Sequence, residues 1–238
     1  MQSTVVSVII PACNEEKTIG NVIEETMQIM DGLGLPYEIL VVDDGSTDRT
    51  REVASRYKVV VLSNERNMGK GYAIRRGFQH AQGDIIITID ADGSHKPKEI
   101  PDLISPLFNG TDVVAGSRFL GSKKDHTSKL HIFGNHLINA TIMIFTRKLI
   151  TDSQTGFRAF KKDFLQKTCL ESQGYEIETE ITVKSLKNGF KLKEIPISCE
   201  KRRHSKSKLK TVPDGLKIIK TILKSAALNG YKNGDVHQ

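Results

Sequence analysis

The chain has 238 residues and a formal net charge of +7, which results from 35 Lys and Arg against 28 Asp and Glu. Apolar residues make up 38% of the sequence and charged residues 26%, a balance that provides for a hydrophobic core and excludes a wholly disordered chain. No uninterrupted apolar run approaches the ~20 residues that cross a bilayer, and no basic flank precedes the short apolar stretch near the N-terminus, so we expect neither a spanning helix nor a signal peptide.

The first half of the sequence alternates between short apolar runs and stretches with helical spacing. The apolar runs predict strands at Val5 to Ile10, Glu38 to Val42, Val59 to Leu62, Asp84 to Ile89 and Val113 to Ala115. The helical spacing predicts helices at Ile19 to Met30, Asp48 to Tyr57, Gly69 to Ala81 and Pro97 to Phe108. Apolar strands that are separated by helices are typical of a mostly parallel sheet with helices on both faces. The predicted fold class is therefore α/β, with its functional site at the carboxyl ends of the strands.

The alternation stops after Leu130. The pattern beyond it predicts a long helix up to about Arg147, a loop from Asp152 to Arg158, a helix from Ile177 to Lys187 and a strand from Leu192 to Cys199. The stretch from Pro213 to Leu228 has the spacing of an amphipathic helix. No linker, repeat or low-complexity segment indicates a second domain.

The positive charge is concentrated near the C-terminus. Between Lys184 and Lys224, Lys and Arg far outnumber Asp and Glu, whereas acidic residues are in slight excess before Lys184. Such a surplus fits nucleic acid, an anionic membrane surface or phosphates bound in a site. A solvated, lysine-rich face explains it equally well.

The three cysteines, Cys13, Cys169 and Cys199, lie far apart in the sequence and lack metal-ligand spacing. Their number and spacing predict neither a disulfide framework nor a zinc site, and indicate a reducing compartment.

Two aspartates follow the strand predicted from Asp84 to Ile89. In Asp90-Ala91-Asp92 the alternate residues of an extended segment project to one side, so both carboxylates can face one point. Hard oxygen ligands at this spacing suit Mg2+ or Mn2+, which keep positions open for phosphate oxygens. Taken alone, such a pair more often caps a helix, here the one that begins at Pro97, but its place at a strand exit favours the metal site.

Two more strand exits carry polar residues. The second predicted strand ends in Asp43-Asp44-Gly45-Ser46, where a carboxylate is placed to accept a hydrogen bond from a ribose hydroxyl or a base N–H. A helix N-cap supplied by Ser46, Thr47 or Asp48 is the alternative. The first strand ends in Pro11-Ala12-Cys13-Asn14-Glu15. Polar clusters at three strand exits predict one shared cleft.

Six motifs carry a resemblance to a known family. In chain order they are Pro11 to Glu15, Asp43 to Ser46, Gly69-Lys70-Gly71, Asp90-Ala91-Asp92, Gly116-Ser117-Arg118 and Asp152 to Arg158. This order resembles family-two glycosyltransferases with the GT-A fold, and most closely the polyprenyl-phosphate sugar synthases of the dolichol-phosphate mannose synthase type. The resemblance implies a GT-A domain at residues 1–212, followed at residues 213–238 by an amphipathic helix and tail with no transmembrane segment.

The resemblance further implies a donor site and a metal site. The residues that would contact the donor nucleotide are Pro11, Cys13, Glu15, Val42, Asp44, Asp90 and Ala91. Asp90 and Asp92 would hold Mg2+ or Mn2+ on the diphosphate, with Ser94 at the third ligand position, which is Gln in some members of the family and Ser in others.

The basic side of the site follows from the same resemblance. Arg118 would face the acceptor phosphate, and Arg202, Ser207 and Lys208 match a loop of the pattern R-x-x-x-x-S-K near the phosphates. The predicted catalytic set is Asp92, Arg118, Arg202 and Lys208.

Three further features leave two interpretations open. Lys70 lies near the nucleoside end of the cleft or is simply a lysine at a helix start, and Asp152 and Arg158 shape the site or form hydrogen bonds inside their own loop. Glu176, Glu178 and Glu180 either match an acidic segment of the family or form a solvated helix face. Of these two interpretations we expect the solvated face.

The acceptor chemistry implied by the resemblance determines the mechanism. A phosphate monoester has a second pKa near ~6 and is already anionic at pH 7, so it needs no base. The difficulty lies in bringing two anions together, which requires a metal on one side and Arg and Lys on the other. We therefore expect in-line attack of a polyprenyl (dolichyl) phosphate on C1 of a nucleotide sugar, GDP-mannose or UDP-glucose, with inversion and transfer of mannose or glucose.

Access to a lipid would involve two helices. The stretch from Leu130 to Ile150 is too polar to span a bilayer and lies either at a membrane interface or, slightly preferred, inside the domain. The stretch from Pro213 to Leu228 carries Lys217, Lys220 and Lys224 beside an apolar side, as a membrane-surface helix does. The expected location is cytoplasmic, at the periphery of the cytoplasmic leaflet and on an anionic membrane surface.

Two other functions remain as alternatives. A transferase of the same fold that uses a soluble sugar or a protein acceptor would need no membrane. A basic nucleic-acid-binding module would use the run from Lys201 to Lys210, but Phe190 is the only Phe, Tyr or Trp between Tyr175 and Tyr231. Because single-stranded nucleic acid is bound largely by stacking on such rings, we expect no nucleic-acid partner.

Overall fold

The structure is a computed structural model that describes residues 4–120, 129–200 and 211–227. Its centre is a seven-stranded sheet with the strand order β3-β2-β1-β4-β6-β5-β7. The strands are β1 Val6–Ala12, β2 Tyr37–Asp43, β3 Val60–Ser63, β4 Ile85–Thr88, β5 Val113–Ser117, β6 Arg158–Lys161 and β7 Leu192–Pro196. The pairings β1 with β2, β1 with β4, β2 with β3 and β5 with β7 are parallel, which confirms the predicted α/β class.

The helices cover both faces of the sheet. They are α1 Ile19–Leu33, α2 Thr50–Ala54, α3 Lys70–His80, α4 Ile100–Phe108, α5 Lys129–Thr146, α6 Lys162–Gln166, α7 Ile177–Lys187 and α8 Thr211–Ala227. Along β1, Val8 and Ile10 enter a core that includes residues of α1 and α4, whereas Ile9 enters a second core with residues of α3 and α7. Successive side chains of a strand point to opposite faces, so both faces of this apolar strand are buried.

One strand is antiparallel and was missed by the sequence analysis. Strand β6 lies between β4 and β5 and runs against both, so that Arg158 is opposite Thr88 on one side and Ala115 on the other. Strands β1 to β5 and β7 therefore end at the same edge of the sheet at which β6 begins. The loops that follow or precede the strands meet at this edge, which we call the catalytic edge.

The predicted helices are confirmed with changed bounds. The prediction from Asp48 to Tyr57 is too long, since α2 covers only Thr50–Ala54. The helix that was expected to begin at Pro97 begins with a single 3-10 turn, Pro97–Glu99, before α4. Helix α7 has the predicted bounds, and the short α6 was not predicted.

Helices α5, α7 and α8 form an additional helical layer beside the sheet. Their shared apolar cluster contains Ile138, Ile142, Val183, Ile218 and Ile222. Helix α8 begins at Thr211, before the predicted Pro213, and packs onto α5 and α7. It is therefore attached to the body of the domain rather than being a separate appendage. Within the described ranges, no helix combines the length and the apolar character that a bilayer-crossing segment requires.

Helix α5 has a buried side and an exposed apolar side, so its predicted place inside the domain holds for one side, and its contact with a membrane stays a prediction. Ile138 and Ile142 are buried, but Leu137, Ile144 and Phe145 are exposed. One side of the helix is thus part of the domain interior, and the other side leaves apolar residues at the surface.

Candidate active site

The loops after β1 and β2 are joined to each other by hydrogen bonds. The N–H of Asn14 donates to Ser46 Oγ at 2.9 Å, and Asn14 Oδ1 accepts from the N–H of Thr47 at 2.7 Å. The N–H of Glu15 donates to Thr50 Oγ1 at 2.7 Å. These bonds fix one wall of the predicted cleft, because each loop supplies the partners of the other loop's backbone.

Asp44 organises the loop that follows β3. Its carboxylate is 3% exposed and accepts from Asn64 Nδ2 at 2.7 Å, from the N–H of Met68 at 2.9 Å and from the N–H of Gly69 at 2.8 Å. Gly69 has a φ of 101°, a conformation that glycine adopts readily and other residues do not. Both oxygens of Asp44 therefore hold the loop, while direct contact with a nucleoside remains a prediction.

The other predicted nucleotide residues lie at the exits of β1, β2 and β4 with different exposure. Pro11 and Cys13 are partly exposed, and Cys13 Sγ accepts from Asn67 Nδ2 at 3.1 Å. Val42 is 0% exposed and Ala91 is 2% exposed. The side chains of these last two residues belong to the core, and their contact with a nucleotide stays a prediction.

Asp90 is bound to a lysine at the start of α3. Lys70 Nζ lies 2.7 Å from Asp90 Oδ1 and 2.7 Å from Glu178 Oε1, and His95 Nε2 lies 3.6 Å from Asp90 Oδ2. Burial alone would lower the pKa of Lys70, but the two carboxylates outweigh it and raise that pKa. Burial alone would raise the pKa of Asp90, but Lys70 and His95 outweigh it and hold that pKa far below its usual range. Asp90 is therefore ionised and oriented.

The expectation of a solvated acidic face on α7 is wrong. Glu178 and Glu180 are each 2% exposed, and burial raises the pKa of Glu178. Glu180 accepts from the N–H groups of Glu171 and Ser172 and pairs with Lys184. Glu176, at the N-terminal cap position of α7, accepts from the N–H groups of Gln173 and Gly174. All three carboxylates have structural partners on the loop before α7 or in the site.

Asp92 and Ser94 form a short turn after β4. The N–H of Ser94 donates to Asp92 Oδ1 at 2.9 Å, and its hydroxyl donates to the same oxygen at 2.6 Å. The hydroxyl thus orients Asp92, and its predicted role as a metal ligand stays a prediction.

The donor set at this turn fits Mg2+ or Mn2+. Within the described ranges no group of three or more His, Cys, Asp and Glu is arranged to enclose an ion. A nucleotide-bound cation does not need such a group, because it takes part of its coordination from phosphate oxygens and water. Two carboxylates on one loop, Asp90 and Asp92, supply the hard oxygen atoms that such an ion prefers.

Arg118 follows β5 and is fixed by a buried carboxylate. Its Nε and Nη2 donate to Asp152 Oδ2 at 2.6 Å and Oδ1 at 2.8 Å, respectively. Asp152 is in turn placed by Glu194 on β7, which accepts from the N–H of Asp152 at 2.8 Å and from the N–H of Thr151. The sequence motifs contained Arg118 and Asp152, but no signal connected them to Glu194.

Arg158 supports the loop before β6 from inside. It is 1% exposed, and its guanidinium donates to the carbonyl oxygens of Thr155 and Ser153 and to Thr182 Oγ1. Burial lowers its pKa. Its hydrogen bonds lie within the loop before β6 and to α7. This agrees with the interpretation that Arg158 forms hydrogen bonds inside its own loop.

After β7 the chain passes close to the turn that Asp92 and Ser94 form. The N–H of Glu200 donates to the carbonyl oxygen of Ser94 at 2.9 Å, and Lys96 Nζ lies 2.9 Å from Glu200 Oε2. The predicted basic residues Arg202, Ser207 and Lys208 follow Glu200 in the sequence and lie outside the described residues. Glu200 therefore lies beside the predicted metal site, and the basic run from Lys201 to Lys210 follows it in the sequence.

This arrangement of acidic and basic groups at the carboxyl ends of a parallel sheet agrees with a family match over residues 7–169, whose description is glycosyl transferase family 2. The chain belongs to glycosyl transferase family 2. The predicted family, the GT-A fold and the classification as a glycosyltransferase are confirmed.

Two relatives and one solved structure are similar to this chain. A dolichol-phosphate mannosyltransferase of Pyrococcus furiosus is 36% identical over 92% of this chain and 64% of its own length. An undecaprenyl-phosphate 4-deoxy-4-formamido-L-arabinose transferase of Edwardsiella ictaluri is 36% identical over 85% of this chain and 62% of its own length. Glucosyl-3-phosphoglycerate synthase from Mycobacterium tuberculosis, in complex with Mn2+ and UDP, superimposes with a TM-score of 0.76 at 23% identity, over 94% of this chain and 80% of that one. This last likeness shows the shared fold.

Proposed function

We propose that the protein transfers a hexose, mannose or glucose, from a nucleotide diphosphate sugar to a polyprenyl phosphate, with inversion at C1 and with Mg2+ or Mn2+ as cofactor. The names of the relatives from Pyrococcus furiosus and Edwardsiella ictaluri, which refer to dolichol phosphate and undecaprenyl phosphate, support a lipid phosphate as acceptor. The donor proposed first is GDP-mannose, and UDP-glucose is the second.

The observation that carries this proposal is the separation of charge along the catalytic edge. The carboxylates of Asp90 and Asp92 follow β4, and the guanidinium of Arg118 follows β5, with only β6 between the two strands. The basic sequence from Lys201 onward continues from the end of β7, the next strand after β5. The carboxylates proposed for a metal-bound donor and the guanidinium proposed for an anionic acceptor thus follow two strands that are separated by one strand.

In the proposed reaction the acidic residues after β4 and Arg118 after β5 have different roles. A divalent cation at Asp90 and Asp92 supplies, when bound, positive charge that offsets the charge of the donor diphosphate. Arg118, whose plane is fixed by Asp152, orients the acceptor phosphate and reduces its repulsion from the donor. An anionic phosphate oxygen then forms a bond to C1 while the bond from C1 to the diphosphate oxygen breaks, and the leaving diphosphate takes the electron pair. No proton has to be removed from the acceptor.

The test is a panel of donors and acceptors with the purified chain. Radiolabelled GDP-mannose and UDP-glucose are each incubated with Mg2+ or Mn2+ and with a polyprenyl phosphate, the corresponding polyprenol, or 3-phosphoglycerate. We expect label in the lipid phase only with the phosphorylated lipid and none in the presence of EDTA. Label on 3-phosphoglycerate would instead establish a soluble acceptor, and transfer that persists in EDTA would contradict the metal assignment.

Two variants test the proposed roles of Arg118 at the acceptor and Asp92 at the metal ion. Arg118→Ala is expected to raise KM for the polyprenyl phosphate, because a cation that faces the acceptor is lost, with a smaller change in KM for the donor. Asp92→Asn is expected to abolish metal-dependent turnover. A matched control is Asp163→Asn, which removes an exposed carboxylate of α6 whose partner is Lys167, and which should leave both constants unchanged.

We also propose that the end of α5 and the outer face of α8 rest on an anionic membrane surface. Ile144 is 70% exposed and Leu149 is 82% exposed, with Arg147 and Lys148 between them. On α8, Leu216 is 65% exposed and Leu223 49% exposed, and Lys217, Lys220 and Lys224 are exposed on the same helix. Exposed apolar residues among cations are the combination that binds anionic lipid surfaces.

Vesicle co-sedimentation tests this surface. The protein should bind vesicles that contain phosphatidylglycerol more tightly than vesicles of phosphatidylcholine alone, and binding should weaken as salt is added. The double variant Ile144→Ser and Leu149→Ser should reduce binding about tenfold, because apolar area is lost. Phe108→Ser is the control, since Phe108 is also exposed, at 57%, but ends α4 in the layer that packs on the opposite face of the sheet. Equal losses for both variants would contradict the assignment of the surface.

A further inference from the structure

The ammonium group of Lys70 is enclosed by two carboxylates from different parts of the chain. Its Nζ is 2.7 Å from Asp90 Oδ1 and 2.7 Å from Glu178 Oε1. The side chains of Lys70, Asp90 and Glu178 are 16%, 17% and 3% exposed. Asp90 follows a strand, whereas Glu178 lies in the first turn of α7, so the lysine connects the predicted metal loop to a helix behind it.

The backbone of the loop before β6 closes this cluster. A Cβ atom at Gly156 would lie 2.7 Å from each carboxylate oxygen of Asp90 and 2.7 Å from Lys70 Nζ. On the other side His95, which is 4% exposed, places Nε2 at 3.6 Å from Asp90 Oδ2. Nδ1 of His95 has no hydrogen-bond partner in the part of the chain that the structure describes, so Nε2 is the ring nitrogen that faces Asp90.

The charge of this cluster has a consequence for metal binding. A lysine that paired with Asp90 alone would cancel the charge that the carboxylate must offer to a divalent cation. Glu178 supplies a second negative group to the same ammonium, so that Asp90 keeps part of its charge for the ion. The dry surroundings strengthen each of these interactions relative to water.

We propose that Lys70 and Glu178 are positioning residues for Asp90: Lys70 fixes the orientation of the carboxylate, and Glu178 balances the charge of Lys70 so that Asp90 still binds a divalent cation. This inference rests on the proposed metal-dependent function. It assigns no substrate contact to either residue, since both act through Asp90.

A second buried ion pair on α7 provides a matched control. Lys184 Nζ lies 2.6 Å from Glu180 Oε1, and the two side chains are 10% and 3% exposed. This pair has the same residue types and a similar burial, but Asp90 is not among its partners. Removing it tests the effect of losing a buried Lys–Glu pair without changing the charge around Asp90.

The experiment measures Mn2+ binding by electron paramagnetic resonance, with and without a saturating nucleoside diphosphate, GDP or UDP. Glu178→Gln is expected to weaken Mn2+ binding roughly tenfold, because Lys70 then neutralises Asp90 without opposition. The double variant Lys70→Met and Glu178→Gln should bind Mn2+ nearly as tightly as the wild type, because one positive and one negative group are removed together. Its turnover number should stay low, because Asp90 has lost the group that orients it.

The control and the contrary outcomes separate this inference from the proposed function. Lys184→Met with Glu180→Gln should lower the thermal unfolding temperature but leave the Mn2+ affinity unchanged. Wild-type protein that binds no Mn2+ would overturn the metal assignment and this inference together. Wild-type protein that binds Mn2+, with unchanged binding in Glu178→Gln or a further loss in the double variant, would overturn the inference alone. Circular dichroism of each variant shows that the comparison is made between folded proteins.

Discussion

Arg118 and Asp152 form a two-point ion pair across the catalytic edge, with Nε to Oδ2 at 2.6 Å and Nη2 to Oδ1 at 2.8 Å. Asp152 is fully buried, whereas the Arg118 side chain is 18% exposed. Paired hydrogen bonds fix the plane of a guanidinium as well as its position, which a single contact would not do. Asp152 therefore fixes the orientation of the Arg118 guanidinium.

The variant Asp152→Asn tests the value of this fixed orientation. The amide keeps the size of the side chain but loses the charge and one of the two acceptors, so Arg118 becomes mobile. We expect KM for the polyprenyl phosphate to rise about tenfold and the free energy of unfolding to fall by about 3 kcal/mol, as for other broken buried ion pairs. Steady-state kinetics and urea unfolding measure the two effects. Unchanged acceptor KM in a destabilised protein would assign Asp152 to stability alone.

The strand exits of this fold were predictable, because each buried strand is a local apolar run that ends in polar residues. Strand β6, Arg158–Lys161, was not, since its four residues include two cations and show no apolar run. Its place depends on antiparallel pairing with β4 and β5, which are distant in the sequence. Local pattern does not carry such pairing information.

The burial of α7 was also not predictable from its own sequence. Every residue from Ile177 to Ser185 is buried, including Glu178, Glu180 and Lys184. The helix is covered by α3 on one side and by α5 and α8 on another, so it lacks the polar face by which an amphipathic helix is recognised. The contact between Lys70 and Glu178 joins residues that are far apart in the chain, and only the folded arrangement reveals it.

Substitution of Ser94 distinguishes a metal ligand from a group that orients Asp92. In the structure the Ser94 hydroxyl donates to Asp92 Oδ1 at 2.6 Å. If it only orients the carboxylate, Ser94→Ala should weaken Mn2+ binding about tenfold, as does loss of other groups that support metal ligands. Asp92→Asn should abolish Mn2+ binding at the same concentrations. Titration with Mn2+ compares them, and a complete loss in Ser94→Ala would indicate direct ligation instead.

A single methyl group at Gly156 should impair the site more than the fold. The new Cβ would lie 2.7 Å from both oxygens of Asp90 and from Lys70 Nζ, and these side-chain ends can shift only by leaving their present positions. We expect Gly156→Ala to lower Mn2+ affinity and turnover at least about tenfold, while the free energy of unfolding changes by only about 1 kcal/mol.

The control for this substitution is Gly32→Ala. Gly32 lies within α1, and a Cβ there meets nothing within 4 Å. Alanine should raise the free energy of unfolding by about 0.5–1 kcal/mol through its better helix propensity, with no effect on Mn2+ binding. Equal Mn2+ affinities for the Gly156→Ala variant and the wild type would show that the Asp90 carboxylate tolerates displacement.

The joined loops after β1 and β2 should respond to acid through Asp48. Burial alone would raise the pKa of this carboxyl, but hydrogen bonds from the hydroxyl and N–H of Thr50 and from the N–H of Glu16 outweigh burial and lower the pKa. The folded state therefore binds the proton less tightly than the unfolded chain does. The stabilisation is fully present above the unfolded pKa of about 3.9 and is lost as the pH falls through the lowered folded value.

Asp48→Asn measures this contribution. At pH 7 the variant should be less stable than the wild type by about 0.5 kcal/mol, a small difference because the carboxylate is partly exposed and water screens it. The difference should shrink as the pH is lowered from about 4 towards 2, where the wild-type carboxyl itself becomes protonated. Urea unfolding at a series of pH values gives both numbers. A difference that stays constant over this range would mean that shape, rather than the charge of Asp48, holds the two loops together.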